Sequence, residues 1–389
     1  MKFQRHTLKN QEDLFLFGWF FILAYYLIIA GTRLIYILPG SSYIKWGMVG
    51  ISLFLWILKL FRDKYKPKVL LILNLLIIIM VIAAIKSGKE VLLITTIFII
   101  AAKGINVKEF IRFDLKIRLF AILFIALLAL LKIIPNIIVD IGGIEKHAFG
   151  WQSPNTMASN VIIVLLEFIY LKWDKLRKRD WILVGLVVLF LNAYVAARTS
   201  ILAFVTVTLW TLLVRRKKRS SLFRKKLGYI YGSVYLFCAV SSYLLLYIYN
   251  KHTIISTQLD RIFTHRLYFS TYYITRYGFS LLGQKIDLTS TTTAQLTGAN
   301  YSGVDMAYVL MPIQYGIIYS IGFIAIFSYI SYKLYKLEKY PELMMLIFFA
   351  MGGITSNVMI LFYRNFTIIF VWVIYEHIKN NNQGKILTG

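Results

Sequence analysis

The sequence predicts an all-α, polytopic integral membrane protein of about twelve transmembrane helices, because apolar runs near the roughly 20 residues that cross a bilayer recur along it. Of its 389 residues, 59% are hydrophobic, 16% are aromatic and only 16% are charged. Helices are the expected spanning structure, since lipid cannot satisfy backbone hydrogen-bonding groups. We therefore expect one transmembrane domain over residues 1–379 and a flexible cytoplasmic tail over residues 380–389.

Each expected span is an apolar run bounded by charged or turn-forming residues. The first span is expected to stay in the mature protein, because its apolar run is long and no small-residue cleavage site follows it. In chain order the expected spans are 14–37, 43–61, 69–85, 89–103, 117–134, 153–172, 181–197, 199–214, 227–249, 306–332, 342–356 and 358–376.

The formal net charge of +27 indicates contact with anionic lipid headgroups and no nucleic-acid partner. Lysines and arginines stand in short blocks between apolar runs, such as KLRKR at 175–179 and RRKKR at 215–219, and are not gathered on one soluble surface. The positive-inside rule then predicts a protein of the cytoplasmic (inner) membrane with both termini in the cytoplasm. The single cysteine, Cys238, lies in an apolar run, so neither a disulfide framework nor a Cys/His metal site is expected.

The longest segment expected outside the cytoplasm is the loop 250–305, and loops of this length usually have a function or are disordered. Within it, Thr257–Gly278 is predicted to form one helix. Arg266 falls on its apolar face, where a guanidinium needs an anionic partner. The alternative is an amphipathic helix whose arginines bind lipid headgroups. The opposite, polar face carries Arg261, His265, Tyr268, Tyr272 and Arg276.

Three more charged residues are expected at the outer side of the membrane. Arg198 lies where two spans meet, and its alternative role is to reach the outer headgroups. Arg364 is expected roughly 12 Å inside the last span, a depth at which charges usually face a cavity. Asp305 opens the tenth span near the positive end of its dipole, either as a catalytic acid or base or as a simple helix-entry carboxylate. Asp305 is also the expected ion-pair partner if Arg364 is structural.

The sequence carries no motif for metal or nucleotide chemistry. A D-x-D pair is absent, and magnesium or manganese prefers several carboxylate oxygens, so a divalent-metal glycosyltransferase is not expected, nor is any other cofactor. There is also no P-loop and no nucleophile elbow.

The stretch HAFGWQSPNTMASN, His147–Asn160, begins the sixth span, where Ser153 is expected to cap the helix and Pro154 to occupy its first turn. Its HAFGWQSPN part resembles the Gly-Phe-x-x-Pro-Asn segment of bacterial O-antigen and capsular polysaccharide polymerases of the Wzy type. The order continues with ARTS, DRIFTHRLYF, YGFSLLGQKI and VDMAYVLMPIQYGII, the last being similar to the family's Asp-x-x-Tyr-x-x-x-Leu-x-x-x-Gly pattern. The resemblance extends from Ala148 to about Ile318.

The resemblance implies a bundle like that of glycosyltransferase C enzymes, related to the O-antigen ligases. It implies transfer of a glycan chain from undecaprenyl pyrophosphate to a lipid-linked repeat unit at the outer face of the membrane. Arg198 and Arg266 match the family's phosphate-binding arginines, which would stabilise the leaving pyrophosphate without a metal. Asp305 stands near the position where the ligases carry a histidine, which makes it the candidate base.

The remaining residues expected to contact substrate are Arg261, Arg276, Arg364, His147, Trp151, Asn155 and His265. Of these, His147 and His265 are rival candidates for the base. Expected partners are undecaprenyl-pyrophosphate-linked repeat units and membrane lipids, together with a chain-length regulator and a flippase. Two alternative functions stay open: a lipid-linked glycan flippase or transporter, and a ligase-like glycan transferase. Against the transporter, the inner halves of the expected spans carry little charge except Glu167.

Overall fold

A computed structural model of the chain describes residues 2–63, 65, 67–140, 145–195, 197–216, 221–289, 294, 298 and 301–377. Most of these residues are helical. In chain order the elements are α1 (Lys2–Leu23), α2 (Leu34–Ile37), α3 (Ser41–Arg62), α4 (Pro67–Ser87), α5 (Val91–Ala101), α6 (Val107–Leu130), β1 (Ile138–Asp140), β2 (Glu145–His147), α7 (Pro154–Lys172), α8 (Lys178–Phe190), α9 (Arg198–Arg216), α10 (Ser221–Tyr249), α11 (Ile254–Ile262), α12 (Arg266–Tyr277), α13 (Ala307–Leu310), α14 (Ile317–Lys336), α15 (Tyr340–Gly352) and α16 (Phe366–His377).

The structure describes six helical segments that are long and apolar enough to cross a membrane. They are Gln11–Ile29, Ser41–Arg62, Val69–Ser87, Pro154–Lys175, Lys226–Tyr249 and Ile317–Lys336. Shorter apolar helices accompany them at Val91–Ala101, Arg198–Val214, Tyr340–Gly352 and Phe366–His377. The prediction of an all-α membrane protein is therefore confirmed, whereas the count of twelve spans is not.

The chain divides into two compact units that are interleaved in sequence. Unit 1 comprises Met1–Leu70, Ile97–Phe204 and Ile369–Gly389, and unit 2 comprises Leu71–Thr96 and Val205–Ile368. The single transmembrane domain over 1–379 stays a prediction, and the flexible tail predicted for 380–389 lies outside the described residues.

The core of unit 1 is a cluster of stacked aromatic rings from α1, α3, α5 and α6. Phe15, Trp19, Trp56, Phe98 and Phe110 are completely buried. The rings of Trp19 and Phe98 lie 4.8 Å apart, and Trp56 Nε1 donates to the Phe15 carbonyl at 3.1 Å. Offset aromatic pairs of this kind add to the stabilisation from burial.

Helix α6 begins ten residues earlier than its expected span at residue 117. Asn106 caps it, accepting hydrogen bonds from the Lys108 and Glu109 amides at 3.1 and 3.4 Å. The early start carries Asp114, which was expected in a cytoplasmic segment, into the helix beside Arg118, and both side chains are fully buried in the interior of unit 1. The interior of unit 1 therefore holds more charge than the sequence suggested.

Two expected spans are broken. The run 306–332 forms the short α13, a π-helical turn Met311–Tyr315 and then α14, with Gly316 at φ +99° between them. The run 358–376 begins in a 3-10 turn, Asn357–Ile360, and the first turn of α16, Phe366–Ile369, is also a 3-10 turn. Irregular backbone within a membrane is tolerated where it is buried in protein or lines a water-filled cavity.

Candidate functional site

The loop segment predicted as one helix over Thr257–Gly278 forms two helices, α11 and α12. The break lies at Thr264 and His265, whose φ angles of +52° and +61° are incompatible with a continuous right-handed helix. Residues before and after the break therefore do not share the face predicted by a helical period, and the predicted alignment of Arg261 with Arg276 is wrong.

Asp260, at the end of α11, organises this break. One of its carboxylate oxygens accepts a hydrogen bond from the Tyr268 amide at 3.1 Å, and the other lies 2.9 Å from His265 Nδ1. Tyr268 is in the first turn of α12, so Asp260 does the work of an N-cap from the preceding helix. His265 is thereby held in place by Asp260, and its side chain is 66% exposed. Sequence reasoning did not single out Asp260.

Arg266, the first residue of α12, pairs with Asp305. Its Nε lies 3.2 Å from Asp305 Oδ2, and the two side chains are 13% and 37% exposed. The prediction that Arg266 has an anionic partner is confirmed. Asp305 was expected near the positive end of a long helix dipole, but it lies two residues before α13, which has only four residues. The Arg266 guanidinium therefore balances the charge of Asp305. The carboxylate keeps access to solvent.

Tyrosines of α12 and the segment that leads to Asp305 hold this pair in position. The Tyr273 hydroxyl donates to the Asp287 carbonyl at 2.6 Å and lies 2.9 Å from the Ser302 hydroxyl. Tyr301 packs edge-on against Phe269, with ring centres 5.1 Å apart. Burial and the neighbouring Asp305 charge raise the pKa of Tyr301, so its hydroxyl stays protonated beside the carboxylate.

Two of the quoted motifs, YGFSLLGQKI and VDMAYVLMPIQYGII, contact one another through their backbones. The Ile317 amide donates to the Ser280 carbonyl at 2.8 Å, and the Gln284 amide donates to the Gln314 carbonyl at 3.1 Å. At Gly316 a Cβ atom would stand 2.6 Å from the amide nitrogen of Gly283. The break between α13 and α14 is thus filled by the backbone of the loop after α12.

The other predicted arginines of unit 2 lie outside this pair. Arg261 and Arg276 are exposed, and Arg276 Nη1 donates to the Tyr272 hydroxyl at 2.7 Å, which raises the pKa of Arg276. Arg364 lies in a turn between the two 3-10 segments, with its guanidinium 5.9 Å from the Tyr363 ring centre. Its expected position inside a regular helix is therefore wrong, and Asp305 has Arg266 as an ion-pair partner.

Unit 1 holds the predicted residues that precede the long loop. Antiparallel strands β1 and β2 form a hairpin that carries His147 at its end, opposite Ile138. Asn136 links this hairpin to the next turn: its Oδ1 accepts from the Phe149 amide at 2.7 Å, and its Nδ2 lies 3.3 Å from His147 Nδ1. The His147 ring is three-quarters buried.

The start of α7 is as predicted, since Ser153 accepts a hydrogen bond from the Thr156 amide at 3.2 Å and Pro154 is the first helical residue. Asn155 is exposed on this turn. Trp151 is completely buried and pairs with Thr32 in a β-bridge, so its ring is not exposed for contact with a substrate. Arg198 is exposed at the first turn of α9.

Two further features of unit 1 escaped sequence reasoning. Arg33 is 6% exposed next to the Trp151 turn, where its amide donates to the Gly150 carbonyl at 3.1 Å, and burial lowers its pKa. In the interior, Arg118 Nε lies 2.6 Å from Asp114 Oδ2 and 3.7 Å from Glu167 Oε1. The i, i+4 spacing of Asp114 and Arg118 was the available signal for that ion pair.

Nothing matches this chain among protein-family models, curated proteins or solved structures. Among the residues that the structure describes, no three His, Cys, Asp or Glu side chains are grouped so that they could hold a metal ion.

Proposed function

We propose that the protein is a polysaccharide polymerase that extends a glycan carried on undecaprenyl pyrophosphate. The observation that carries the proposal is the Arg266–Asp305 pair, a partly exposed carboxylate 3.2 Å from a guanidinium at the start of a loop helix. This chemistry suits glycosyl transfer from a pyrophosphate donor, because the departing group needs a fixed cation and the attacking hydroxyl needs a proton acceptor.

In the proposed reaction, the acceptor hydroxyl oxygen attacks the anomeric carbon of the donor glycan. The bond between that carbon and the pyrophosphate oxygen breaks, and undecaprenyl pyrophosphate leaves with the bonding electrons. The acceptor proton passes to Asp305, while Arg266 stabilises the charge on the leaving group with donors on a planar, bidentate guanidinium. Arg198 in unit 1 is assigned the same phosphate-binding role on the resemblance alone.

The resting ion pair gives the two residues an order of action. A pyrophosphate carries more negative charge than a carboxylate, so it competes for Arg266 when the donor arrives. Loosening the pair frees Asp305 to accept a proton. The donor would then bind before the carboxylate is able to act as a base.

The decisive experiment is reconstitution of the purified protein with a defined undecaprenyl-pyrophosphate repeat unit, with product length measured on gels. Wild-type protein should elongate the repeat unit. Arg266→Ala and Arg198→Ala should stay in the membrane but stop chain growth, whereas Lys251→Gln, an exposed cation that stacks on Tyr247, should not. Normal polymer from either arginine variant would contradict its assigned role.

A second measurement separates the two members of the pair. Arg266→Ala should weaken binding of the lipid pyrophosphate donor. Asp305→Asn should bind the donor as tightly as wild type or more tightly, because the competing carboxylate charge is gone, yet fail to elongate. Weaker donor binding by Asp305→Asn would refute the exchange of Arg266 between carboxylate and pyrophosphate.

One observation favours the alternative of a lipid-linked glycan transporter. Asp114, Arg118 and Glu167 form a fully buried ionisable cluster, and such clusters within membrane helices occur in transport and proton pathways. Elongation of lipid-linked repeats by purified protein in detergent, where no transport across a bilayer is possible, would decide for the enzyme. The ligase-like transferase would be identified by transfer to an acceptor other than the repeat unit.

A further inference from the structure

Helices α10 and α14 of unit 2 form an open groove that neither the site nor the proposed reaction uses. Its volume is about 980 Å³, at the upper end of the range of ligand pockets, roughly 300–1,000 Å³. Its walls are mostly apolar, with tyrosines at one end. Lining residues include Tyr229 and Leu236 on α10 and Ile321, Ser328, Tyr329 and Tyr332 on α14.

The length of the groove along α14 matches the thickness of one membrane leaflet. From Tyr332 to Ile321 it follows eleven residues of α14, about 16 Å at 1.5 Å per residue. That is about half of the roughly 30 Å hydrocarbon core of a bilayer. Both helices are candidate membrane spans, and Leu236 and Ile321 on its walls are 54% and 64% exposed. Its apolar part is therefore sized for the chains of a lipid within a single leaflet.

Lysines mark the tyrosine end of the groove. Lys333 Nζ lies 5.5 Å from the Tyr329 ring centre, and Lys336 Nζ lies 4.6 Å from the Tyr332 ring centre. Tyr332 stacks on Tyr229 across the groove, with ring centres 6.0 Å apart. Lys226, one turn before Tyr229 on α10, is exposed at the same end. Two of the lysines are thus held against the aromatic rings that form the mouth.

A polar atom without a hydrogen-bond partner lies on the groove wall. The Ser328 hydroxyl is buried and unpartnered, and Ser328 lines the groove between the lysine end and the apolar end. Buried hydroxyls are normally hydrogen-bonded. A ligand with polar groups between a charged head and apolar chains would satisfy it once the Ser328 side chain rotates toward the groove.

We propose that this groove binds one anionic diacyl phospholipid. Its headgroup phosphate lies at Lys333 and Lys336, its ester region faces Ser328, and an acyl chain follows the wall toward Ile321. Exposed lysines at a helix end attract anionic lipid even without a groove. Binding at this site should therefore depend both on the charge of Lys333 and Lys336 and on the shape of the apolar groove.

The test is native mass spectrometry of the full-length protein after delipidation, titrated with phosphatidylglycerol or phosphatidylcholine of identical chains. Wild type should retain one phosphatidylglycerol in preference to phosphatidylcholine. Lys333→Gln with Lys336→Gln should lower the affinity for phosphatidylglycerol about twenty-five-fold, from about fivefold per lysine near an anionic headgroup. Ala325→Trp fills the groove and should remove both lipids.

Matched controls isolate the site. Lys175→Gln with Lys178→Gln removes the same charge from exposed positions of unit 1 and should leave binding unchanged. Ile326→Trp puts the same large ring on α14 at a 42% exposed position that does not line the groove, and should also bind normally. Two results with wild-type protein alone would overturn the proposal: equal retention of the two lipids, or preferential retention of a polyprenyl phosphate. Neither depends on whether a variant folds. Unchanged binding by a folded Ala325→Trp protein would overturn it as well.

Discussion

The buried cluster of Asp114, Arg118 and Glu167 contains two carboxyl groups and one guanidinium, all completely buried. Three charges there would leave a net negative charge in an apolar interior, which is costly unless one carboxyl keeps its proton. Asp114 is the well-partnered acid, since it accepts from Arg118 Nε at 2.6 Å and from Trp19 Nε1 at 2.6 Å. We therefore predict that Asp114 and Arg118 are the ion pair and that Glu167 is neutral.

From these charge states we predict how much three substitutions change the free energy of unfolding. Arg118→Met removes the cation and leaves Asp114 buried and unpaired, which should lower the free energy of unfolding by about 3–5 kcal/mol. Glu167→Gln replaces one neutral group by another of the same shape and should cost less than about 1 kcal/mol. Arg112→Met, also on α6, breaks an exposed ion pair with Glu109 and should cost at most about 1 kcal/mol.

The assay is unfolding in mixed detergent micelles followed by tryptophan fluorescence, to which Trp19 beside the cluster contributes. A double-mutant cycle gives the sharpest measurement. If Glu167 is neutral, Arg118→Met should cost nearly the same in the wild-type background as in the Glu167→Gln background, with a coupling below about 0.5 kcal/mol. A Glu167→Gln protein destabilised as much as Arg118→Met would refute the reasoning, because it would show that Glu167 carries a charge balanced by Arg118.

Five other substitutions test the local geometry, each by unfolding in detergent. Gly316→Ala, at φ +99° and against the loop backbone, should cost at least about 1–3 kcal/mol, whereas Gly322→Ala on α14, with open space around it, should be neutral or slightly stabilising. Asp260→Ala should cost about 1–2 kcal/mol and speed amide exchange in the first turn of α12, which unchanged exchange would contradict. Trp151→Phe should be tolerated, since the indole nitrogen has no hydrogen-bond partner. Trp19→Phe should lower the free energy of unfolding by about 1–3 kcal/mol, because it loses the hydrogen bond to Asp114. Equal effects of the two substitutions would contradict this.

Local sequence signals predicted the regular helices well. The apolar run 43–61 corresponds to α3 at Ser41–Arg62, and the run 227–249 ends where α10 ends. Ser153 and Pro154 located the start of α7 because a cap and a first-turn proline act through the nearest backbone groups alone. Such features need no knowledge of the rest of the fold.

The breaks could not be predicted in the same way, because contacts distant in sequence stabilise them. The run 306–332 has the hydropathy of one span, yet the amide of Ile317, the first residue of α14, donates to Ser280 in the loop after α12. It therefore does not continue the helical hydrogen bonding from α13. Pro312 and Gly316 were the local signals at the position of the break. The helical period across Thr264 and His265 failed for a similar reason, since Asp260 turns back to cap α12.

The same dependence on distant contacts decides what the candidate site can be. A helical period assigned Arg266 to an apolar face and so correctly required an anion, but it could not choose between carboxylates. Asp305 is the partner because of a distant contact: the Tyr273 hydroxyl on α12 lies beside the Ser302 hydroxyl and so holds the segment leading to Asp305 against α12, where Asp305 pairs with Arg266. An arginine already balanced by a carboxylate is less attractive to a single lipid phosphate than a lone cation would be. The pair therefore argues for a ligand with higher charge density, such as a pyrophosphate, over simple binding of headgroups.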